Sequence, residues 1–205
     1  MEKNPLICLV MATILEAKPF IGGLSLIRLD SKPFPVYRNK NHILIVSGIG
    51  KANVAMACAY SCLRFGPFCI VNLGAAGATG NGHTLGEPLH IKKAFECDRP
   101  QFKSKSPHRH MPDILKGFSY ATITTFDRPV LDPAERQKLS KTADLIDMES
   151  ASVIQACKKF KTKCYIFKFV SDTPEHTRDN DIIENIKIYR NTFFSFFRES
   201  VLPLL

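Results

Sequence analysis

The chain has no apolar run long enough to cross a bilayer, which takes about 20 residues, so a helical membrane protein is not expected. It has no C-x-x-C pair and no histidine or cysteine spacing that would close a zinc site. It has no G-x-G-x-x-G turn, no P-loop lysine and no clustered Ser-His-Asp pattern, which removes the sequence-legible nucleotide cradles and the common hydrolase triad. No internal repeat and no low-complexity stretch occurs. The amino terminus, "MEKNPLICLVMA", carries a brief apolar run without a cleavage-site pattern, and is expected to be a buried strand and not a signal peptide.

What is present is an ordinary globular balance. The chain has 205 residues, 45% hydrophobic and 23% charged. That length suits one well-buried α/β domain, expected over residues 1–205. Seven cysteines, an odd number, sit mostly inside apolar runs and read as small buried hydrophobes of a reducing cytoplasm. The formal charge of +9 favours anionic partners, but the positive residues are scattered. Their densest cluster, "FKSKSPHRHMPDILK" (102–116), reads as a solvated loop. It lacks the aromatic-basic alternation of a nucleic-acid surface.

Strand-like runs recur at 6–12, 43–48, 69–75, 89–96, 118–126, 144–148 and 164–172. Several are continuously apolar, as strands covered on both faces are. Helical spacing appears at 51–65, 149–160 and 181–202. The alternation predicts an α/β fold with helices on both sides of a sheet. In such sheets ligands bind at the carboxyl ends of strands. The acids just past those ends are Glu16, Glu149 and Asp172. Each also has a plain structural reading. Asp147 suits a helix cap and Glu149 the first turn of the helix after it. Glu16 suits a first helical turn, and Asp172 before Thr-Pro suits a turn.

Four segments in order, "SGIGKANVAMA", "VNLGAAGA", "IDMESAS" and "FKFVSD", resemble the purine nucleoside phosphorylase/nucleosidase superfamily. The nearest resemblance is to the methylthioadenosine/S-adenosylhomocysteine nucleosidases, and it runs from about residue 6 to about residue 175, with "MATILEAKPF" looking like the family's first strand and acidic turn. It implies a three-layer sandwich around a mixed β-sheet, and cleavage of the N-glycosidic bond of a purine nucleoside, 5′-modified or not. It implies no cofactor, no metal and a homodimer or higher homo-oligomer.

Carried over by position, Asp172 would protonate N7 of the leaving purine and Glu16 would activate the attacking water. Glu149 would bind ribose hydroxyls above Met148. Ala75, Ala76, Gly77, Phe126, Lys168 and Ser171 would complete the binding site, with Phe126 stacking on the base. General-acid help of this kind is worth roughly 10²–10⁴-fold. Phosphorylases of the superfamily need an arginine clamp for phosphate. The hexameric bacterial ones carry arginine and serine in the turn where this chain has Asn72 and Ala75, so water is the expected nucleophile. Lys168 stands where the nucleosidases carry arginine, and "TTFDRPVLDP" (124–133) replaces their usual aromatic-apolar pair over the purine. A phosphorylase, a nucleosidase for futalosine or another modified nucleoside, and a binding protein without turnover stay open. The apolar carboxyl-terminal helix, with Phe193, Phe194, Phe196, Phe197, Val201 and Leu202, shows more apolar positions than one stripe can hide, which points to an oligomer contact.

Overall fold

A computed structural model describes residues 5–99 and 106–205. The first half runs β1 (Ile7–Met11), α1 (Ile14–Gly23), β2 (Ile27–Asp30), β3 (Val36–Arg38), β4 (His42–Val46), α2 (Lys51–Phe65) and β5 (Cys69–Ala78). The second half runs β6 (Pro88–Glu96), β7 (His108–His110), β8 (Tyr120–Thr125), α3 (Pro133–Leu139), β9 (Leu145–Asp147), α4 (Ser150–Phe160), β10 (Lys163–Asp172) and α5 (Asp179–Phe196). A π-helical turn, Phe197–Val201, and a 3-10 turn, Leu202–Leu204, extend α5.

The continuously apolar runs become the parallel centre of the sheet. β5 lies between β1 and β10, parallel to both, and β4 lies outside β1. β3 and β2 add an antiparallel edge beyond β4. On the other side β10 pairs antiparallel with β6, β6 parallel with β8, β8 parallel with β9, and β9 returns antiparallel to β5. Strands β5, β10, β6, β8 and β9 therefore close on one another, with the remaining strands as a wing. Closure leaves these five without a free edge to aggregate.

Helices cover both faces. Val54, Ala57 and Cys58 of α2 and Val153, Ile154 and Cys157 of α4 share one core with the sheet. Ala17 and Phe20 of α1 and Phe193 and Phe194 of α5 share the other. The three layers expected from strand-helix alternation are present. Local chemistry sets the helix ends. Thr13 and Glu16 form a reciprocal capping box at α1. Gly66 takes the left-handed conformation that stops α2. Asp132 caps α3 ahead of Pro133.

Three expectations change. First, α1, α3 and the short strands β2, β3 and β7 were not legible. They carry too few residues for periodicity to show. The loop expected at 102–116 includes β7, which pairs with β6, while residues 102–105 lie outside those described.

Second, the carboxyl-terminal aromatic residues are not left over for a partner. Phe193, Phe194, Phe197 and Val201 are buried within the chain. Phe20 of α1 meets the rings of Phe194 and Phe197 at 5.1 and 5.4 Å. Phe169 of β10 meets Phe193 at 5.0 Å. The π-helical turn rotates the last residues, which lets more than one stripe face inward. Four of the six residues behind the sequence hint are thus covered by the chain's own core, and Phe196 and Leu202 are partly buried against it.

Third, Glu149 is the N-cap residue of α4 and not part of its first turn. All seven cysteines are free, and burial pushes the Cys8 thiol up to about 12. Among the described residues no helix is long and apolar enough to cross a membrane.

Candidate active site

Four strand ends meet at one cleft of about 170 Å³. From β1 and α1 come Thr13 and Glu16. From β5 come Ala75, Ala76 and Gly77. From β9 and the start of α4 come Met148 and Glu149, and from β10 come Ser171 and Asp172. Each lies at a carboxyl end, where the strand order opens and the backbone turns away. Ile182 and Ile186 of α5 and the 128–131 segment supply apolar walls.

Glu16 is buried and fully engaged. Its Oε2 accepts from the Thr13 amide at 3.1 Å and the Thr13 hydroxyl at 2.6 Å. Its Oε1 accepts from the Ala75 amide at 2.9 Å. The structural reading of Glu16, a helix-start acid, is therefore real, yet the same carboxylate faces the cleft. Gly74 makes this approach available, since a Cβ there would sit 2.7 Å from Glu16 Oε1.

The Asp147-Met148-Glu149 stretch divides its labour. Asp147 does the capping. Its Oδ2 accepts from the Ser150 amide at 2.9 Å and the Ser150 hydroxyl at 2.6 Å, while Thr125 donates to Oδ1 at 2.8 Å. Glu149 makes no cap bond. Its Oε1 accepts from the Gly50 amide at 3.0 Å, which aims the carboxylate into the cleft from the side of α2. Burial pushes the Glu149 carboxyl up to about 7, against the pull of Lys168 in the opposite direction.

Lys168 lies beneath, 2.9 Å from Asp147 and 3.8 Å from Glu149. Burial works against its charge, but Asp147, Glu149 and Glu16 outweigh burial and hold its proton more tightly than usual. Lys168 does not line the cleft. It acts from below, fixing the two acids. A lysine suffices because its partners need a point charge and not a planar fork.

Asp172 is placed by a bulge. The β10–β5 register slips between Val170 and Asp172, so that Asp172 faces Gly77. A bulge re-aims side chains at a strand end. Ser171 donates to Asp172 Oδ1 at 2.5 Å. Arg136 of α3, which the sequence did not single out, donates through Nη2 to Asp172 Oδ2. The same guanidinium donates through Nε to the Val130 carbonyl at 2.7 Å and through Nη1 to the Ala78 carbonyl at 3.1 Å. Asp132-Pro133 signals a helix start in the sequence, but nothing there tells that an arginine one turn later goes inward.

Phe126, like Lys168, was expected at the binding site and does not line the cleft. It packs with Val130 and Ile146 and lies under the Arg128 guanidinium, 5.7 Å from the ring centre. The 128–131 segment takes its place as the wall. Among the described residues no group of three or more His, Cys, Asp or Glu could hold a metal ion.

A cleft built in this way has a buried acid with a hydrogen-bonded serine, a carboxylate whose chain neighbour is an apolar methionine, and a further carboxylate held by backbone amides. Known proteins resemble this chain in sequence and in fold. A 5′-methylthioadenosine/S-adenosylhomocysteine nucleosidase of Bacillus velezensis is 30% identical over 166 residues, 66% of this chain and 70% of that protein. An aminodeoxyfutalosine nucleosidase of Campylobacter jejuni is 25% identical over 185 residues, 77% of this chain and 81% of that protein. The crystal structure of a Helicobacter pylori 5′-methylthioadenosine/S-adenosylhomocysteine nucleosidase shares the fold with a TM-score of 0.87 at 19% identity, covering 100% of both chains. A family model described as "Phosphorylase superfamily" matches residues 34–201, and the chain belongs to that superfamily.

Proposed function

We propose that this chain is a nucleosidase that hydrolyses the N-glycosidic bond of a purine ribonucleoside and releases the base. The observation that carries the reading is the convergence of Glu16, Glu149 and Asp172 on one cleft from three different strand ends. Cleavage of this bond builds positive charge on the sugar and negative charge on the base. Asp172, at the Arg136 end, serves the base at N7, taking up a proton from solvent and passing it on as the glycosidic bond breaks. Glu149 accepts the ribose hydroxyls and faces the cationic sugar, with Met148 beneath. Glu16, held on both oxygens, orients the attacking water and takes its proton. Ala75, Ala76 and Gly77 form the floor, and Ser171 steers Asp172.

Electrostatics support water over phosphate. Of the two arginines that line the cleft, Arg128 pairs with Glu135 and Arg136 with Asp172. Lys168 is taken by Asp147 and Glu149. A phosphate dianion would meet four carboxylates, Glu16, Asp147, Glu149 and Asp172, and no unpaired cation among the described lining residues.

The whole of residues 1–205 is read as one such domain, in a reducing cytoplasm, as its free cysteines support. A homodimer is the proposed assembly. Ile49 supports it, because it lines the cleft and yet is 53% exposed, leaving one side of the mouth uncovered. No metal, cofactor or nucleic acid enters this chemistry.

The test is a panel of purine nucleosides, with and without 5′ modification, incubated with and without phosphate. Release of free base and free sugar at a rate indifferent to phosphate is expected. No release from any of them, or sugar 1-phosphate formed only with phosphate, would overturn the reading.

A further inference from the structure

We infer that Arg136 sets base specificity, selecting purines with an oxo group at position 6 over those with an amino group. The inference rests on the proposed function, in which Asp172 meets N7 of the base. Position 6 is the next group along that same edge of a purine, and Arg136 is the next group along from Asp172.

The guanidinium is built in, not a passing surface charge. It is 2% exposed and held at three points: the Val130 carbonyl, the Ala78 carbonyl and Asp172. Gly77 makes room for the pair, since a Cβ there would lie 2.6 Å from Asp172 Oδ2 and 3.1 Å from Arg136 Nη2. An arginine has five N–H donors. Three are used, so one hydrogen on each terminal nitrogen remains, on a residue that lines the cleft. It has donors left and no acceptor to offer.

The two kinds of purine differ at that point. A 6-oxopurine shows two acceptors along the edge, N7 and O6. A 6-aminopurine shows the N7 acceptor beside an N–H donor, which would face the guanidinium hydrogens. Arginine is for this reason the common partner of a base with O6 and N7 acceptors, whereas asparagine and glutamine suit N6 and N7. Discrimination by one such contact amounts to roughly 5- to 150-fold. Arg136 would also favour the negative charge that grows on the leaving base.

The experiment measures binding of free hypoxanthine and free adenine by calorimetry in phosphate-free buffer, then kcat/KM for inosine and adenosine. Wild type is expected to favour the 6-oxo member by a factor in that range, and Arg136→Gln to shift the preference toward adenine. Equal or tighter adenine binding by wild type overturns the inference, as does an unchanged ratio in folded Arg136→Gln. If that variant does not fold, the wild-type ratio decides alone. Hypoxanthine bound preferentially without cleavage of any nucleoside would overturn the proposed function and leave the role of Arg136 standing. Adenosine cleaved in preference would do the reverse. Binding of neither base overturns the inference and leaves the proposed function to the cleavage assay.

Discussion

At the scale of single residues, the account turns on three acids in unlike surroundings. Asp172→Asn keeps size and the contact with Ser171 but cannot supply the proton. Base release should fall by roughly 10²–10⁴-fold with the fold intact, and release at the wild-type rate in a steady-state assay would remove Asp172 from the chemistry. Glu149 gives a prediction with two signs. Burial raises its carboxyl to about 7, so the native state holds a proton there that an unfolded chain has already lost above the ordinary carboxylate range. Its contribution to stability is therefore present at low pH and declines as pH rises through about 7. Binding of ribose runs the other way, because only the charged form accepts two hydroxyls, so KM should fall over the same interval. Glu149→Gln should flatten both profiles. It should also weaken ribosyl substrates more than their 2′-deoxy analogues, and equal losses on both would show that Glu149 serves only the start of α4.

Elements explain what the sequence disclosed and what it withheld. The buried strands and α2, α4 and α5 were legible because each repeats its pattern over many residues. Strand ends then pointed to Glu16, Glu149 and Asp172 without any contact being known. Arg136 was not legible, since its partners lie 36 residues away at Asp172 and 58 away at Ala78. Phe126 was misplaced because stacking was inferred from residue type, while Val130 and Ile146 claim the ring.

His90 shows the same limit. It is fully buried on β6, with Nδ1 2.9 Å from the Ile166 carbonyl and Nε2 accepting from the Leu115 amide at 2.9 Å, and it stacks on Phe167 at 4.1 Å. Those partners require the neutral ring, and burial lowers its pKa below the usual 6.5. The unfolded chain thus binds the extra proton first, and stability should be lost as pH falls below about 6.5. Thermal melts of wild type and His90→Gln across that range check this, the variant showing the shallower slope. On the opposite side of the sheet from α2 and α4, Phe197→Ala should cost about 3–5 kcal/mol in urea unfolding, because the ring is wholly enclosed by the chain itself.

For the whole molecule, closure of five strands fixes where catalysis can sit. The ring and its wing share β5, and the cleft opens where the carboxyl ends of β1, β5 and β10 meet β9. A change at Phe193 or Phe197 should therefore act on stability first, and a change at the cleft on rate first. The proposed dimer is checked by light scattering at micromolar concentration, and a monomeric mass would refute it. The central claim is that water attacks the sugar. The direct measurement is turnover of a cleaved nucleoside in water enriched in heavy oxygen, without phosphate, followed by mass spectrometry of the sugar. Hydrolysis predicts the heavy oxygen at C1 of the released sugar and none in the base. A reaction that stalls until phosphate is added, and then yields the sugar 1-phosphate, would contradict it.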